Sequence, residues 1–278
     1  MKIGAFMFAT DYNIDIVELA VAMEDRGFEA LFVPEHTHIP SSRASAFPGG
    51  GDLPQKYVHT HDPMVSLAFA AAATKNLTVG TGICLVPQHD PIVLAKSIAS
   101  LDMLSGGRFV FGIGGGWNVE EMENHGAKYD TRFKMLRENI LAMKQIWTED
   151  TASFEGEYVN FDKIWSYPKP VQEPHPPILL GGETDYTLRR VVDFCDGWFP
   201  RAGANFDAHE QMGRLKKHAD DAGRDMSTLQ VSVFRAPADK ATLDSYRQHG
   251  IDRALLEIPD TSRDEVLKLL DQYAKLLA

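Results

Sequence analysis

Residues 77–117 read LTVGTGICLVPQHDPIVLAKSIASLDMLSGGRFVFGIGGGW and contain the repeating unit on which the fold depends. Two short apolar runs, Leu77–Leu85 and Arg108–Ile113, predict strands. Between them, Asp90 followed by Pro91 predicts a helix start, because aspartate caps a helix and proline fits its first turn. A strand, a helix and a second strand in this order predict two parallel strands.

The same alternation extends over the whole chain. Eight strands are predicted, at Ile3–Phe8, Ala30–Val33, Leu77–Leu85, Arg108–Ile113, Pro177–Leu180, Gly197–Phe199, Leu229–Phe234 and Arg253–Ile258. The segments between them carry apolar residues at helical spacing, and the last helix is preceded by a capping box of Ser262 and Glu265. Eight such units predict an α/β fold, the (β/α)8 TIM barrel; an open doubly wound sheet is the alternative.

Two long segments interrupt this alternation. Thr37–Thr60 carries proline, glycine and serine, and Thr151–Pro176 contains a possible hairpin at Phe154–Tyr158 and a proline-rich end. Loops of this length inside a domain are usually functional, so we expect both to be insertion loops at the C-terminal mouth of the barrel. We find no repeat and no low-complexity linker, which predicts a single domain over residues 1–278.

Composition narrows the classes of function. A net charge of −11 and scattered Lys and Arg argue against a nucleic-acid partner. We find no apolar run long enough to span a membrane, and a strand pattern starts directly at the N-terminus, so we expect no membrane partner, no signal peptide and a cytoplasmic location. Cys84 and Cys195 lie in apolar segments and predict neither a disulfide nor a metal site.

The stretch PEHTH at residues 34–38 follows the second predicted strand. His36 and His38 at alternate positions suit a metal-dependent hydrolase, an alternative supported by a second His-x-His pair at residues 59–61. The later strand ends offer no further convincing ligands, so we expect no metal. The other hypothesis is acid/base catalysis by His36, oriented by a neighbour such as Glu35.

Glycines mark two further strand ends. In GIGGGW, residues 112–117, they either form a tight turn or leave room beside something flat or bulky. The stretch lacks the G-x-G-x-x-G spacing of a dinucleotide site. In LLGGET, residues 179–184, a strand leads through Gly-Gly to a helix start, where free N–H groups form an anion site. Arg201 at the end of the next strand is a candidate clamp for that anion.

Together these stretches resemble the luciferase-like monooxygenase superfamily, and more closely its branch that depends on coenzyme F-420, a deazaflavin. The resemblance covers almost the whole chain. It rests on AMEDRGFEALFVPEH (residues 22–36), on residues 77–126 with their Pro-x-x-x-Ala-Lys and Ser-Gly-Gly-Arg motifs, on RFKMLRENILAMKQIWTED (132–150) and on PPILLGGETDYTLRRVVDFCDGWFP (176–200).

The resemblance implies a deazaflavin or flavin at the C-terminal mouth, supported by a non-proline cis peptide at Gly82–Ile83. It also implies the residues that contact the cofactor. Those beside the ring are Gly114, Gly115, Gly116 and Trp117, and those at the phosphate are Gly181, Gly182, Glu183 and Thr184, with Arg201 as the clamp.

The resemblance further implies a reaction. Hydride passes between the cofactor and a small-molecule substrate, His36 handles the accompanying proton, and Glu35 stands at a cofactor-contacting position. A polyglutamate tail favours a basic groove, for which the chain offers Arg43, Lys56, Arg132, Arg201 and Arg235. Because the chain is acidic overall, FMN is the alternative cofactor, which would require a flavin reductase or another source of reduced flavin. The resemblance favours a homodimer.

Overall fold

A computed structural model of the protein describes residues 1–203 and 206–277. Eight parallel strands close into a barrel, since the ordered strands are joined at their two ends by an additional pairing. In ring order they are β1 (Lys2–Phe6), β2 (Ala30–Val33), β3 (Thr78–Thr81), β5 (Phe109–Gly114), β8 (Ile178–Gly181), β9 (Gly197–Phe199), β10 (Gln230–Phe234) and β11 (Arg253–Glu257). The TIM barrel prediction is confirmed.

The third predicted strand is wrong in one respect, because it is interrupted. Thr78–Thr81 forms β3 and Cys84–Leu85 forms a separate short strand, β4, which pairs with the far end of β5. Between them the Gly82–Ile83 peptide is cis, as the resemblance implied. The chain therefore changes direction at the C-terminal end of the barrel while remaining attached to β5.

Helices surround the barrel and begin where the caps predict. They are α1 (Ile16–Asp25), α2 (Pro63–Ala73), α3 (Pro91–Ser105), α4 (Val119–Asn124), α5 (Arg132–Thr148), α6 (Asp185–Phe194), α7 (Ala208–Asp221), α8 (Lys240–Gln248) and α9 (Arg263–Tyr273). Asp62 and Asp90 cap α2 and α3 by accepting hydrogen bonds from the third residue beyond them. In the described residues, no helix has the length and apolar character needed to cross a membrane.

The two long segments lie at different ends of the barrel. Thr37–Thr60 covers the C-terminal mouth, where Phe47 and Tyr57 reach the region of His36. The segment 151–176 does not, and the expectation that it lies over the mouth is wrong. Its hairpin, β6 (Ala152–Glu155) and β7 (Asn160–Ile164), packs along α5, and Gln172 bonds to the carbonyl of Phe109 at the start of β5.

The location of segment 151–176 follows from barrel topology. A helix returns the chain to the N-terminal end of the strands, so the connection from α5 to β8 starts at the end remote from the mouth. Lys169 confirms this position, because its ammonium donates to the carbonyls of Ile146 and Glu149 at the end of α5, at 2.6 and 2.5 Å. The C-terminal mouth is therefore covered by one long loop, not by two.

Candidate active site

A buried histidine–glutamate pair lies at the mouth beyond β2. His36 is 8% exposed, and its Nδ1 lies 2.9 Å from Oε2 and 3.1 Å from Oε1 of Glu121, a fully buried carboxylate on α4. Thr60 fixes the backbone at this point by donating to the His36 carbonyl at 2.9 Å. The carboxylate holds Nδ1 as a donor and leaves Nε2 as the nitrogen available for proton exchange.

Aromatic rings enclose this histidine. The ring centroid of His36 lies 5.2 Å from that of Tyr57 and 5.8 Å from that of Trp117. Phe47 in turn packs against both of those rings, at 5.2 and 6.1 Å. The loop 37–60 supplies Phe47 and Tyr57, so it both shields His36 from water and forms an apolar wall for a substrate.

Glu35 does not orient His36, and that expectation is wrong. Its buried carboxylate accepts from the backbone N–H of Leu85 at 2.5 Å and pairs with Nε2 of His89 at 2.8 Å. The two side chains point to different neighbours because consecutive residues of an extended segment face opposite ways. Glu35 therefore ties the end of β2 to β4, and Glu121 takes the position beside His36.

The pKa values of Glu35 and His89 shift in opposite directions. Burial alone would raise the pKa of Glu35, but the hydrogen bond and charge of His89 outweigh it and hold that pKa below its usual value. Burial would likewise lower the pKa of His89, whereas Glu35 raises it above 6.5. Each group thus favours the charged form of the other.

The histidines proposed as a metal pair have separate partners. His38 lies 3.0 Å from Oγ1 of Thr37 and 2.9 Å from the amide of Asn124, whereas His36 bonds to Glu121. Where the chain is described, the one group of three metal-ligand side chains within reach of each other is Glu35, Cys84 and His89. That group includes neither His36 nor His38, so the geometry does not support the hydrolase hypothesis.

The glycines at the strand ends make room for protein side chains. A Cβ on Gly114 would stand 1.9 Å from Cδ1 of Ile83, and one on Gly181 would stand 3.4 Å from Cγ2 of the same residue. Ile83 therefore lies across the ends of β5 and β8 and forms a half-buried apolar floor to the mouth. A Cβ on Gly115 would lie 3.0 Å from the ring of Phe133.

Amide groups without partners lie beside this floor. In the described part of the chain, neither amide atom of Gln88 has a hydrogen-bond partner although both are buried, and the same holds for Nδ2 of Asn118. Gln88 lies next to Gly116, whose Cβ would stand 3.7 Å from its Nε2. Buried amides normally have partners, so this edge of the mouth has unused hydrogen-bonding capacity for a bound ligand.

The turn after β8 leads through Gly182 into the start of α6. Gly182 has a φ of +122°, and its carbonyl accepts from the indole of Trp198 at 2.7 Å. Since the C=O and N–H of a trans peptide point in opposite directions, this bond turns the N–H of Glu183 away from Trp198. Thr184 caps α6 by accepting from the N–H of Thr187 at 3.1 Å. Gly182 must lack a side chain, because a Cβ would stand 2.8 Å from Oγ1 of Thr187.

Arg201 lies beside this turn with an ionic partner. Its backbone N–H and its Nε both donate to Oε1 of Glu183, at 3.0 and 3.1 Å. Both side chains are largely exposed, so the pair is screened by solvent. As a clamp for an anion, Arg201 would first have to leave Glu183.

Sequence reasoning missed Glu121, Gln88 and Tyr57. Asn118 followed three residues later by Glu121 has the spacing of a helix cap, and Asn118 does accept from the N–H of Glu121, at 3.2 Å. That spacing predicts a capping role for the glutamate side chain, which instead turns toward His36. Its functional position is not visible in the sequence, because the two residues are 85 positions apart.

The chain is similar in sequence to several known proteins. The sequence profile of the family described as luciferase-like monooxygenase matches residues 9–267. The uncharacterized protein Rv0953c of Mycobacterium tuberculosis is 39% identical, with 100% of this chain and 99% of that protein covered. The F-420-dependent glucose-6-phosphate dehydrogenase of Gordonia bronchialis is 26% identical, with 89% of this chain and 72% of that protein covered.

Solved structures share the fold at low identity. Monooxygenase RslO1 from Streptomyces bottropensis superposes with a TM-score of 0.80 at 19% identity, covering 100% of this chain and 98% of that one. An F-420-dependent secondary alcohol dehydrogenase in complex with an F-420-acetone adduct gives a TM-score of 0.75 at 17% identity, with 99% and 97% covered.

Proposed function

Because the chain belongs to the luciferase-like monooxygenase family, we propose that it is an oxidoreductase that transfers hydride between the deazaflavin F-420 and a small organic substrate. The observation that carries this proposal is the buried His36–Glu121 pair under an aromatic wall at the barrel mouth. An F-420-dependent dehydrogenase among the relatives supports the choice of cofactor. The substrate glucose-6-phosphate belongs to the name of that relative, and we do not transfer it to this chain.

The residues at the mouth fit such a cofactor. The apolar floor of Ile83 and the unpaired amide of Gln88 suit a flat ring with polar edges, and the turn at Gly182 suits a phosphate. We propose that the ring lies by Gly114, Gly115, Gly116 and Trp117 and the phosphate by Gly181, Gly182, Glu183 and Thr184. When bound, the cofactor supplies a carbon that accepts or donates hydride.

The protein's own residues supply the proton and the environment. His36 gives a proton to, or takes one from, the substrate oxygen through Nε2. Glu121 keeps the imidazole in one tautomer and one orientation through its contact with Nδ1 at 2.9 Å. The loop 37–60 excludes water, and its rings orient the substrate. We assign Glu35 a positioning role, because its carboxylate is already used by Leu85 and His89.

A monooxygenase with FMN is the second candidate, since the family description and the solved structure of highest TM-score given above both name monooxygenases. That reaction would require oxygen and a source of reduced flavin. Ile83 and the strand-end glycines suit either ring.

Titration of the purified protein with F-420 and with FMN tests the choice. Quenching of intrinsic tryptophan fluorescence reports binding, and we expect F-420 to bind at least ~10-fold more tightly, which is about 1.4 kcal/mol. A parallel assay follows the absorbance of F-420 when simple secondary alcohols are added as substrates. The control contains F-420 and protein without an alcohol. If FMN binds as tightly as F-420, the deazaflavin assignment fails and oxygen uptake with reduced FMN becomes the decisive assay.

We also propose that the protein is a homodimer. Helices α2 and α3 leave large apolar side chains exposed on their outer faces, among them Val65 (58%), Phe69 (60%) and Val93 (64%). Exposed apolar residues on adjacent helices are typical of a contact surface. Phe69→Glu should convert a dimer to a monomer in sedimentation at micromolar concentration, while Tyr186→Glu, an exposed aromatic on α6, should not. A wild-type monomer would contradict this proposal.

A further inference from the structure

Three side chains that can ligate a metal meet between the end of β2 and β4. They are the carboxylate of Glu35, the thiol of Cys84 and the imidazole of His89, and one atom of each lies within 4.8 Å of the other two. The ligand atoms of a tetrahedral zinc ion lie roughly 3.5 Å apart, so small side-chain rotations would bring all three onto one ion. It is the one such group in residues 1–203 and 206–277.

The protein already orients two of these side chains. The N–H of Leu85 donates to Oε2 of Glu35 at 2.5 Å, and Oε1 of the same carboxylate lies 2.8 Å from Nε2 of His89. His89 follows a short 3-10 turn at residues 86–88, and its own N–H donates to the carbonyl of Val86 at 3.2 Å. Hydrogen bonds of this kind fix a ligand side chain before an ion binds. The group is therefore largely preformed.

The charges of the group favour a divalent cation. Glu35 and Cys84 are both buried, and burial of an uncompensated charge is costly. Burial raises the pKa of the Cys84 thiol, and the negative charges of Glu35 and Asp62 raise it further. A bound cation would reverse this effect, because the S–H bond is replaced by a metal–thiolate bond and the proton leaves to solvent. One thiolate, one carboxylate and one neutral imidazole balance the charge of Zn²⁺.

The donor set also selects the metal. Thiolate and imidazole ligands suit Zn²⁺, whereas Mg²⁺ and Ca²⁺ prefer sites made of oxygen atoms alone. His89 is partly exposed, so one side of the group is open to solvent. An ion can enter from that side, and a water molecule can take the fourth position of a tetrahedral site.

Comparable buried side chains elsewhere lack a third ligand. His36 is paired with Glu121, and Cys195 is as buried as Cys84. Within the described ranges of the chain, neither belongs to a group of three ligand side chains in reach of one another. Cys195 is therefore a matched control for the thiol. The sequence alone does not reveal the group, since Glu35 lies 54 positions from His89.

We propose that Glu35, Cys84 and His89 form a zinc site that joins the end of β2 to β4. Two of the ligands are sequence neighbours of His36 and Ile83, so the ion would hold the backbone that carries the acid/base group and the apolar floor. His36 itself is not a ligand, and the expected effect of the ion is on stability. The zinc site does not depend on the proposed function.

Titration with Co²⁺, a spectroscopic substitute for Zn²⁺, tests the site directly. The untagged chain is first treated with EDTA and dialysed. We expect one equivalent of Co²⁺ to give a thiolate-to-cobalt charge-transfer band in the near ultraviolet, and one equivalent of Zn²⁺ to remove it. Surface histidines that bind cobalt have no thiolate and give no such band. Absence of the band at one equivalent would overturn the proposal.

Substitutions of the ligands identify the thiolate. Cys84→Ser should abolish the band, whereas Cys195→Ser should keep it. His89→Gln should weaken Co²⁺ binding at least ~100-fold, since even residues behind metal ligands contribute ~10–100-fold, and His38→Gln should stay within twofold. If Cys84→Ser does not fold, His89→Gln decides the question. A band that survives in Cys84→Ser, or unchanged affinity in His89→Gln, would overturn the site.

Melting temperature reports the effect of the ion on the fold. Zn²⁺ in excess should raise the melting temperature of the wild type and of Cys195→Ser, because an ion that binds only the folded chain stabilises it. It should not raise that of Cys84→Ser or His89→Gln. An equal rise in all four proteins would assign zinc to other residues and would overturn the proposal. The measurement is made without F-420 or FMN, so its outcome is independent of either cofactor.

Discussion

The two sides of the barrel mouth differ in whether their charged side chains have partners of opposite charge. On the side beyond β2, two buried glutamates each have a histidine partner within 2.9 Å, as Glu121 has His36 and Glu35 has His89. Between β5 and β8, the guanidiniums of Arg132 and Arg190 share a phenyl ring and no carboxylate within the described chain. The first side is completed by the protein, so its geometry is fixed before a ligand arrives. On the second side, the two like charges repel each other.

Removing Glu35 should have the largest effect on the paired side. Glu35→Ala leaves the N–H of Leu85 without its acceptor and the His89 charge without its counter-ion, which costs about 3–5 kcal/mol of unfolding free energy. Urea unfolding measures the change. Glu123→Ala, on an exposed part of α4, removes the same charge and should stay within about 0.5 kcal/mol. Equal losses of unfolding free energy in the two variants would mean that the Glu35–His89 pair adds no stability.

The next largest effect concerns turnover. His36→Ala should lower kcat ~10²-fold or more and leave cofactor affinity within a few-fold, because the histidine supplies a proton and not the main binding contacts. His38→Ala is the control, since its ring bonds to Thr37 and Asn124 and not to Glu121. Steady-state kinetics and fluorescence titration measure the two quantities. Full activity of His36→Ala would remove it from the mechanism.

Glu121 should act through His36. Glu121→Gln keeps the shape of the side chain but removes the charge that holds Nδ1, and we expect kcat to fall about tenfold with KM within twofold. In the His36→Ala background the same substitution should have almost no further effect, as residues that act as a unit are not additive. Glu120→Gln, whose carboxylate bonds to Ser45 instead, is the control. Additive losses would place Glu121 in a different role.

The smallest expected effect is a pH dependence of stability from the Glu35–His89 pair. The pKa of Glu35 is lowered from 4.5, so its contribution is complete above that pH and is lost as the pH falls through the folded-state pKa. The pKa of His89 is raised from 6.5, so its contribution is complete below that pH and is lost as the pH rises through the folded-state pKa.

The difference in unfolding free energy between the wild type and the Glu35→Gln/His89→Gln double variant should therefore be largest between the two ordinary pKa values, 4.5 and 6.5, and smaller on either side. Urea unfolding across pH gives this difference directly, since the other titrating groups are common to both proteins. A difference that keeps growing from pH 6.5 to 9 would contradict the assigned shifts.

Much of the architecture follows from the sequence by itself. Apolar runs, helical periodicity and the caps at Asp62 and Asp90 depend on neighbours in the chain, so they predict the eight strands, the helices and the strand ends that line the mouth. The Gly-Gly pair at residues 181–182 is a local signal of the same kind. At Gly182 only glycine fits, because φ is positive and there is no space for a Cβ.

The tertiary structure alone decided which side chains meet at those strand ends. His36 and Glu121 are 85 positions apart and Glu35 and His89 are 54, so no local pattern could pair them. The local pattern instead suggests a pairing of Glu35 with His36, its neighbour just beyond β2. The course of residues 151–176 and the meeting of Arg132 with Arg190 across Phe133 likewise depend on how helices pack around the closed barrel. Local geometry is set by adjacent residues, whereas charge pairing is set by the arrangement of distant elements in space.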